Sequence, residues 1–127
     1  MSGNTLLLIG RILLAVIFIF AGFGKLTDIG GTAGYFGSLG IPLPTVTAVL
    51  AGLVELLGGI AVLIGFQTRI AAFALAAFTL ASALIAHFDF ADQMQLTSFL
   101  KNLAITGGFL ALAVHGAGRL AVDARRA

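Results

Sequence analysis

The sequence predicts an all-α integral membrane protein, a four-helix bundle whose helices run up, down, up and down. Hydrophobic residues make up 60% of the 127-residue chain and charged residues only 9%, whereas soluble domains carry about 25% charged residues. Four apolar runs each supply roughly the 20 residues that a bilayer-spanning helix needs. The chain has the length of one compact domain, so we predict that residues 1–127 form a single transmembrane domain.

The composition also excludes several classes of function. The chain has no cysteine, which rules out thiolate catalysis, iron–sulfur ligation by cysteine and covalent attachment of haem. A formal net charge of +2 is too small for a nucleic-acid interface, so we expect no nucleic-acid partner. The lipid bilayer is the partner that so apolar a surface requires.

The first span is predicted over residues 5–26. Because residues on a helix advance by about 100° each, one stripe carries both charges of this span: Arg11, Ala15, Phe18, Gly22 and Lys25. Lipid is a poor neighbour for charge, so the stripe should face the bundle. Residues 27–44 follow as an interfacial loop rich in glycine and proline, with a short helix expected around 33–39.

The second span, residues 45–66, places Glu55 near the bilayer midplane. An ionisable group there costs roughly 2.5–3.5 kcal/mol on insertion scales, so it requires a partner, a cavity or a proton. The same helix face carries small or apolar residues, namely Ala48, Ala51, Gly52, Gly59 and Val62. Small residues let helices approach closely in lipid, so the carboxylate is predicted on a packed face.

A very short turn at 67–69 makes the third span, residues 70–88, an antiparallel neighbour of the second. After a polar connection at 91–97, the fourth span is predicted over residues 98–117. One of its stripes consists of Lys101, Ile105, Gly108, Leu112 and His115. Four spans place both chain termini on one side of the membrane.

The charged residues distinguish the two ends of this bundle. The end that holds the termini, here the terminus end, carries Arg11, Arg69, Arg119, Arg125 and Arg126. The opposite end, here the loop end, carries Lys25, Lys101, Asp28, Asp89 and Asp92. Because cytoplasmic loops carry the Lys/Arg excess, both termini are predicted to be cytoplasmic, in a bacterial inner membrane or its equivalent.

Depth along the helices selects Arg11 as the predicted partner of Glu55. Counting residues into each span gives a vertical offset of about 6 Å, which an arginine side chain can bridge. Lys25 and Lys101 lie near the outer boundary and can turn toward the headgroups, which makes them less suitable partners. Lys101 is the second choice after Arg11. A Glu55–Arg11 pair could support catalysis or only fix the helix register, and the residues leave both readings open.

His87 ends the third span at about the depth of Lys25 and Lys101. Together they are predicted to form a basic ring that holds a quinone carbonyl, a carboxylate or an anion. A plain interfacial histidine is the alternative. His87 and His115 lie at opposite ends of the bundle, about 30 Å apart, so we expect no haem within one chain. No metal-ligand spacing appears, so no metal is expected either.

Several short motifs follow one another along most of the chain. They are Gly10-Arg11-Ile12, Ala21-Gly22-Phe23-Gly24-Lys25-Leu26, Gly40-Ile41-Pro42, Glu55-Leu56-Leu57-Gly58-Gly59, Gly65-Phe66-Gln67-Thr68-Arg69, His87-Phe88, and Phe99-Leu100-Lys101-Asn102-Leu103 with Gly107-Gly108. With these motifs the chain resembles the DoxX family of small bacterial membrane proteins. The resemblance implies a four-helix inner-membrane bundle and a link to respiratory redox chemistry, because some relatives are named as subunits of quinone-linked oxidoreductases.

Three functions are compatible with these features. The first is a redox-associated subunit that binds quinone, with Glu55 and Arg11 as the catalytic pair and Lys25, His87 and Lys101 as cofactor-binding groups. Such a chain is at most an accessory subunit of an oxidoreductase, and its electrons require another membrane or redox protein. The alternatives are a non-enzymatic assembly or scaffold protein, and a small-solute transporter or channel that would need to form a homo-oligomer.

Overall fold

A computed structural model describes residues 2–126, with side chains for residues 2–124. Residues 2–126 contain no strand and form six helices, α1 (Gly3–Thr27), α2 (Ile29–Ser38), α3 (Pro44–Ile64), α4 (Thr68–Ala86), α5 (Gln93–His115) and α6 (Val122–Arg126). The helices α1, α3, α4 and α5 are long and apolar enough to cross a membrane, which confirms the predicted four-helix bundle. The side chains of Arg125 and Arg126, counted above at the terminus end, lie outside the described part.

α1 crosses the bundle and passes directly into α2. Its 25 residues extend about 37 Å at 1.5 Å per residue, enough to cross a hydrocarbon core of about 30 Å. Asp28 ends α1 and caps α2, because its Oδ1 accepts a hydrogen bond from Gly31 N at 3.1 Å. This cap explains why α2 begins at Ile29, ahead of the short helix expected around 33–39.

A tight turn joins α3 to α4. Gly65 ends α3 with φ +74°, and Phe66 N donates to Ala61 O at 2.8 Å. Glycine can end a helix with a positive φ without steric strain, because it lacks a Cβ. The turn holds α4 antiparallel to α3, as the short connection predicts.

α5 begins at Gln93, five residues before the span predicted from position 98. Asp92 caps it, since its Oδ1 accepts hydrogen bonds from Met94 N at 2.9 Å and Gln95 N at 3.4 Å. The polar segment predicted as a connection therefore forms the first turns of the helix. A carboxylate at an N-cap satisfies backbone N–H groups that a helix start leaves unpaired.

Glycines set the close contact between α1 and α3. A Cβ added at Gly22 would lie 2.5 Å from Leu56 N, and one added at Gly59 would lie 2.8 Å from a side-chain carbon of Ile19. Such contacts are too close for any residue with a side chain, so glycine permits the approach. The α1–α3 pair joins the α4–α5 pair mainly through α3 and α4.

The apolar core occupies the half of the bundle nearer the terminus end. Phe18 of α1 and Phe109 of α5 meet edge to face, with ring centroids 5.3 Å apart. The buried residues around them are Ala15, Val62, Ala72, Leu75, Ala76 and Leu112. All four spanning helices contribute to this core, and the half nearer the loop end contains a cavity instead.

Candidate functional site

A cavity of about 650 Å³ lies in the half of the bundle nearer the loop end. This volume falls within the 300–1,000 Å³ typical of small-molecule sites. Residues of α1, α2, α3 and α4 line it, with apolar walls that include Phe36, Leu39, Ile41, Phe78 and Ile85. The ionisable groups in the lining are Lys25, Asp28, Tyr35, Glu55 and His87.

An ion pair lies at the inner end of this cavity. Lys25 Nζ lies 2.5 Å from Glu55 Oε1, and the two side chains are 24% and 7% exposed. Glu55 lies about 16 Å along α3 from Pro44, whereas Lys25 belongs to the last turn of α1. The lysine side chain therefore turns inward to the carboxylate, not outward to the headgroups.

Arg11 makes different contacts from those predicted. Its guanidinium donates hydrogen bonds to the carbonyl oxygens of Val62 at 3.3 Å, of Leu63 at 3.4 Å and of Leu120. It does not line the cavity that contains Glu55. The predicted Glu55–Arg11 ion pair is therefore wrong, and the buried cation instead binds backbone oxygens at the end of α3 and at Leu120.

The register of α1 against α3 explains this error. Gly22 packs against Gly52 and Leu56, so Glu55 lies level with the loop-end half of α1. Arg11 binds at Val62, which is about 10 Å further along α3. Counting residues from each span boundary placed the two side chains nearly level, but the glycine contacts shift α1 relative to α3.

The predicted basic ring is only partly assembled. His87 follows α4 and lines the cavity together with Lys25, whereas Lys101 is exposed on α5 and does not line it. Burial lowers the pKa of His87 below its ordinary value, and the charge of Lys101 lowers it further. His87 is thus a neutral imidazole at pH 7, with one nitrogen that donates and one that accepts. Lys101, the second choice as partner of Glu55, is not paired with it, and its charge acts on His87 from outside the cavity.

Asp28 and Tyr35 also line the cavity, although neither is among the site residues predicted from the sequence. Asp28 is counted above only as a loop-end charge, and Tyr35 lies within the short helix expected around 33–39. The signal was the spacing of Asp28, Gly31, Thr32, Tyr35, Phe36 and Leu39, which places them on one side of a helix. That side of α2 forms one wall of the cavity.

Comparison with known proteins gives consistent matches over most of the chain. The DoxX family model matches residues 6–88. Inner membrane protein YqjF of Escherichia coli (strain K12) is 43% identical over 116 residues, which cover 91% of this chain and 88% of YqjF. Inner membrane protein YphA of the same strain is 38% identical over 125 residues, covering 94% of this chain and 89% of YphA.

A third relative comes from a different bacterium. The Bacillus subtilis (strain 168) protein named "Putative oxidoreductase CatD" is 39% identical over 121 residues, covering 86% of this chain and 84% of CatD. No solved structure matches the chain.

Proposed function

This chain belongs to the DoxX family of membrane proteins, and on that premise we propose that it binds a quinone, or a similar carbonyl-bearing small ligand, as a redox-associated subunit of a membrane complex. One observation carries the proposal, the Lys25–Glu55 ion pair at the inner end of a cavity of about 650 Å³. Ionisable groups within a membrane bundle are costly and mark functional sites. Here the cavity gives a ligand access to them.

The lining residues suit a quinone head group. The Lys25 ammonium has three N–H donors, of which Glu55 engages one, so others remain to bind a ligand carbonyl. Phe36 and Phe78 supply apolar walls for a flat ring. A bound quinone would supply a redox couple whose oxygens gain protons as it is reduced.

The remaining polar groups have supporting roles in this proposal. Glu55 holds the proton that is exchanged with the ligand, with Lys25 as its ion-pair partner. His87, neutral at pH 7, orients the head group from the cavity mouth. Arg11 lies at the other end of the bundle and has no part in ligand binding.

A redox role draws support from one relative, which is named as an oxidoreductase. In this proposal the electrons reach the ligand from another membrane or redox protein, while this chain supplies the binding site and the proton. The chain is then an accessory subunit and not a complete oxidoreductase.

We also propose that the chain resides in a bacterial inner membrane with both termini in the cytoplasm. YqjF and YphA are named inner membrane proteins, and the hydrogen bonds of Arg11, Arg69 and Arg119 place them at the terminus end. Cytoplasmic loops carry the Lys/Arg excess. Fusion of alkaline phosphatase or green fluorescent protein to the C-terminus tests the orientation, and active phosphatase at that end would contradict it.

The test of the ligand uses matched charge variants purified in lipid nanodiscs. Organic extracts of wild type, Lys25→Met, Glu55→Gln and Lys101→Met are analysed by mass spectrometry, and binding of a short-chain ubiquinone is measured by equilibrium dialysis. We expect Lys101→Met to bind like wild type, because burial alone still holds the pKa of His87 below its ordinary value. Lys25→Met should bind about tenfold more weakly or worse, because a hydrogen bond to a charged group contributes about 1.5–3 kcal/mol.

Two results would overturn the proposal. Absence of quinone from every extract, together with no binding of the short-chain ubiquinone, would reject the ligand and favour the assembly or scaffold role. Equal binding by the folded wild type, Lys25→Met and Glu55→Gln would show that the ligand binds elsewhere.

A further inference from the structure

The cavity and the apolar core divide the spanning helices at a common depth. Cavity-lining positions on α1 start at Ala21, those on α3 stop at Glu55, and those on α4 start at Phe78. The buried core residues lie on the terminus side of each of these positions. Because the helices alternate in direction, Glu55 lies at the floor of a cavity that extends toward the loop end.

Residues 116–124, here called the C-terminal strap, cover the terminus end of α1. The Leu120 carbonyl oxygen accepts a hydrogen bond from Arg11, and Arg119 N donates to Asn4 Oδ1 at 3.2 Å. Arg11 itself is only 1% exposed. The guanidinium and the strap thus make a hydrogen-bonded contact that covers this end of α1.

The strap is also tied to the turn between α3 and α4. The Asp123 carboxylate accepts hydrogen bonds from Gln67 N at 2.7 Å and Thr68 N at 2.9 Å. Asp123 N donates to Gly65 O at 2.8 Å. The terminus end is therefore closed across α1, α3 and α4, and the closure is separated from Glu55 by the apolar core.

We propose that Glu55 exchanges protons with only one side of the membrane, the side of the loop end, and that Lys25 carries each proton to it. Lys25 Nζ lies 2.5 Å from Glu55 Oε1, so a proton can pass directly as the N–H bond breaks and the O–H bond forms. The neutral amine then takes up a proton from the solution on the loop side, which water in the cavity relays as a hydronium ion and which leaves that water neutral. The use of the proton rests on the proposed function, but the sidedness rests on the packing alone.

The charged and titratable groups around Glu55 agree with this direction. Within residues 2–124, the ones that share its cavity are Lys25 and Asp28 at the end of α1, Tyr35 of α2 and His87 after α4. Lys101 of α5 acts on His87 from outside the cavity. Arg11, Arg69, Arg119 and Asp123 lie on the other side of the core, where Arg11 donates its hydrogen bonds to backbone oxygens.

Cysteine accessibility tests the sidedness directly, because the chain has no native cysteine. Ala51→Cys and Ser82→Cys place a thiol in the cavity wall, and Ala15→Cys and Ala76→Cys place one in the core. Vesicles of known orientation are treated on one side with a membrane-impermeant thiosulfonate. The cavity cysteines should be labelled when the reagent is on the loop side and should not be labelled when it is on the terminus side. The core cysteines should not be labelled from either side.

The proton itself is followed by infrared spectroscopy of oriented proteoliposomes. The carboxylic-acid band that Glu55→Gln removes should respond to a pH step on the loop side, and the response should be slower in Lys25→Met. A response to the pH of the terminus side would overturn the inference.

The labelling experiment has its own contrary outcome. Labelling of Ser82→Cys from the terminus side, or from neither side in the folded protein, would also overturn the inference. Ser82 is only half-buried, so Ser82→Cys should fold. It allows the experiment to be done even if Ala51→Cys fails to fold. If the cavity cysteines are labelled only from the loop side but the protein binds no quinone, the proposed function is rejected and this inference still holds.

Discussion

Lys25 Nζ lies 2.5 Å from Glu55 Oε1, so a cation from the last turn of α1 balances a carboxylate deep within α3. Each charge makes the burial of the other tolerable. Removing one partner of a buried pair leaves an uncompensated charge, which is more costly than removing both.

A double-mutant cycle should reveal this dependence. We expect Lys25→Met to lower the free energy of unfolding more than the double variant Lys25→Met/Glu55→Gln does. The coupling energy should be about 1–3 kcal/mol, as for residues in direct contact. Unfolding by sodium dodecyl sulfate in mixed micelles measures it, with the exposed Lys101→Met as the charge-removal control. Additive effects of the two substitutions would contradict the pairing.

Gly22 and Gly10 of α1 should respond in opposite ways to alanine. A Cβ at Gly22 would lie 2.5 Å from Leu56 N, whereas one at Gly10 would have nothing within 4 Å. Gly22→Ala must therefore separate α1 from α3 and destabilise the bundle. Gly10→Ala should be neutral or stabilise by about 0.5–1 kcal/mol, because alanine is the better helix former. Equal unfolding midpoints for the two variants would refute the close α1–α3 contact.

Arg11 should be a structural residue and not a ligand-binding one. Arg11→Lys keeps the charge but lacks the planar fork that reaches several carbonyl oxygens, so we expect a loss of about 1–3 kcal/mol. Quinone retention should not change. The control is Arg69→Lys, whose guanidinium donates to Val114 O and His115 O at an exposed position, and it should cost less. A stable Arg11→Lys protein that loses its ligand would restore the catalytic role predicted from the sequence.

His87 should make the protein less stable in mild acid. Burial and the charge of Lys101 lower the pKa of His87. Below about pH 6.5, the ordinary value, the unfolded chain therefore takes up the proton first, and the free energy of unfolding falls. Lys101→Met should raise the pKa of His87 and weaken this dependence. Carbon-13 NMR of labelled histidine measures the titration of His87, and an unchanged titration curve in Lys101→Met would exclude Lys101 as a cause.

The sequence was sufficient to identify the packed face of α3. The face predicted to surround Glu55 consists of the residues that are buried in α3, which are Ala48, Ala51, Gly52, Glu55, Gly59 and Val62. The helical repeat and the small residues determine that face without knowledge of any partner helix. The same reasoning holds for Arg11, Ala15, Phe18 and Gly22 of α1, which are all buried.

The partners across helices were less predictable. The buried positions of α5 are Asn102, Thr106, Phe109 and Leu112, so Leu112 is the one buried member of the stripe through Lys101. Thr106 Oγ1 donates to Asn102 O at 2.7 Å, and this local bond makes a polar position tolerable inside the bundle. Hydropathy alone does not reveal that compensation. Hydropathy also does not show that the Lys25 side chain turns inward, which makes Lys25 the partner of Glu55.

The Asp123 cap on α4 has a consequence for the order of assembly during synthesis. The backbone N–H groups of Gln67 and Thr68 are bound by a carboxylate that lies 56 and 55 residues further along the chain, respectively. While the ribosome is still making α5, the α3–α4 hairpin has already been made but lacks this cap. These hydrogen bonds at the terminus end can therefore form only after residue 123 has been translated. This part of the fold is completed after the four spanning helices have been synthesised.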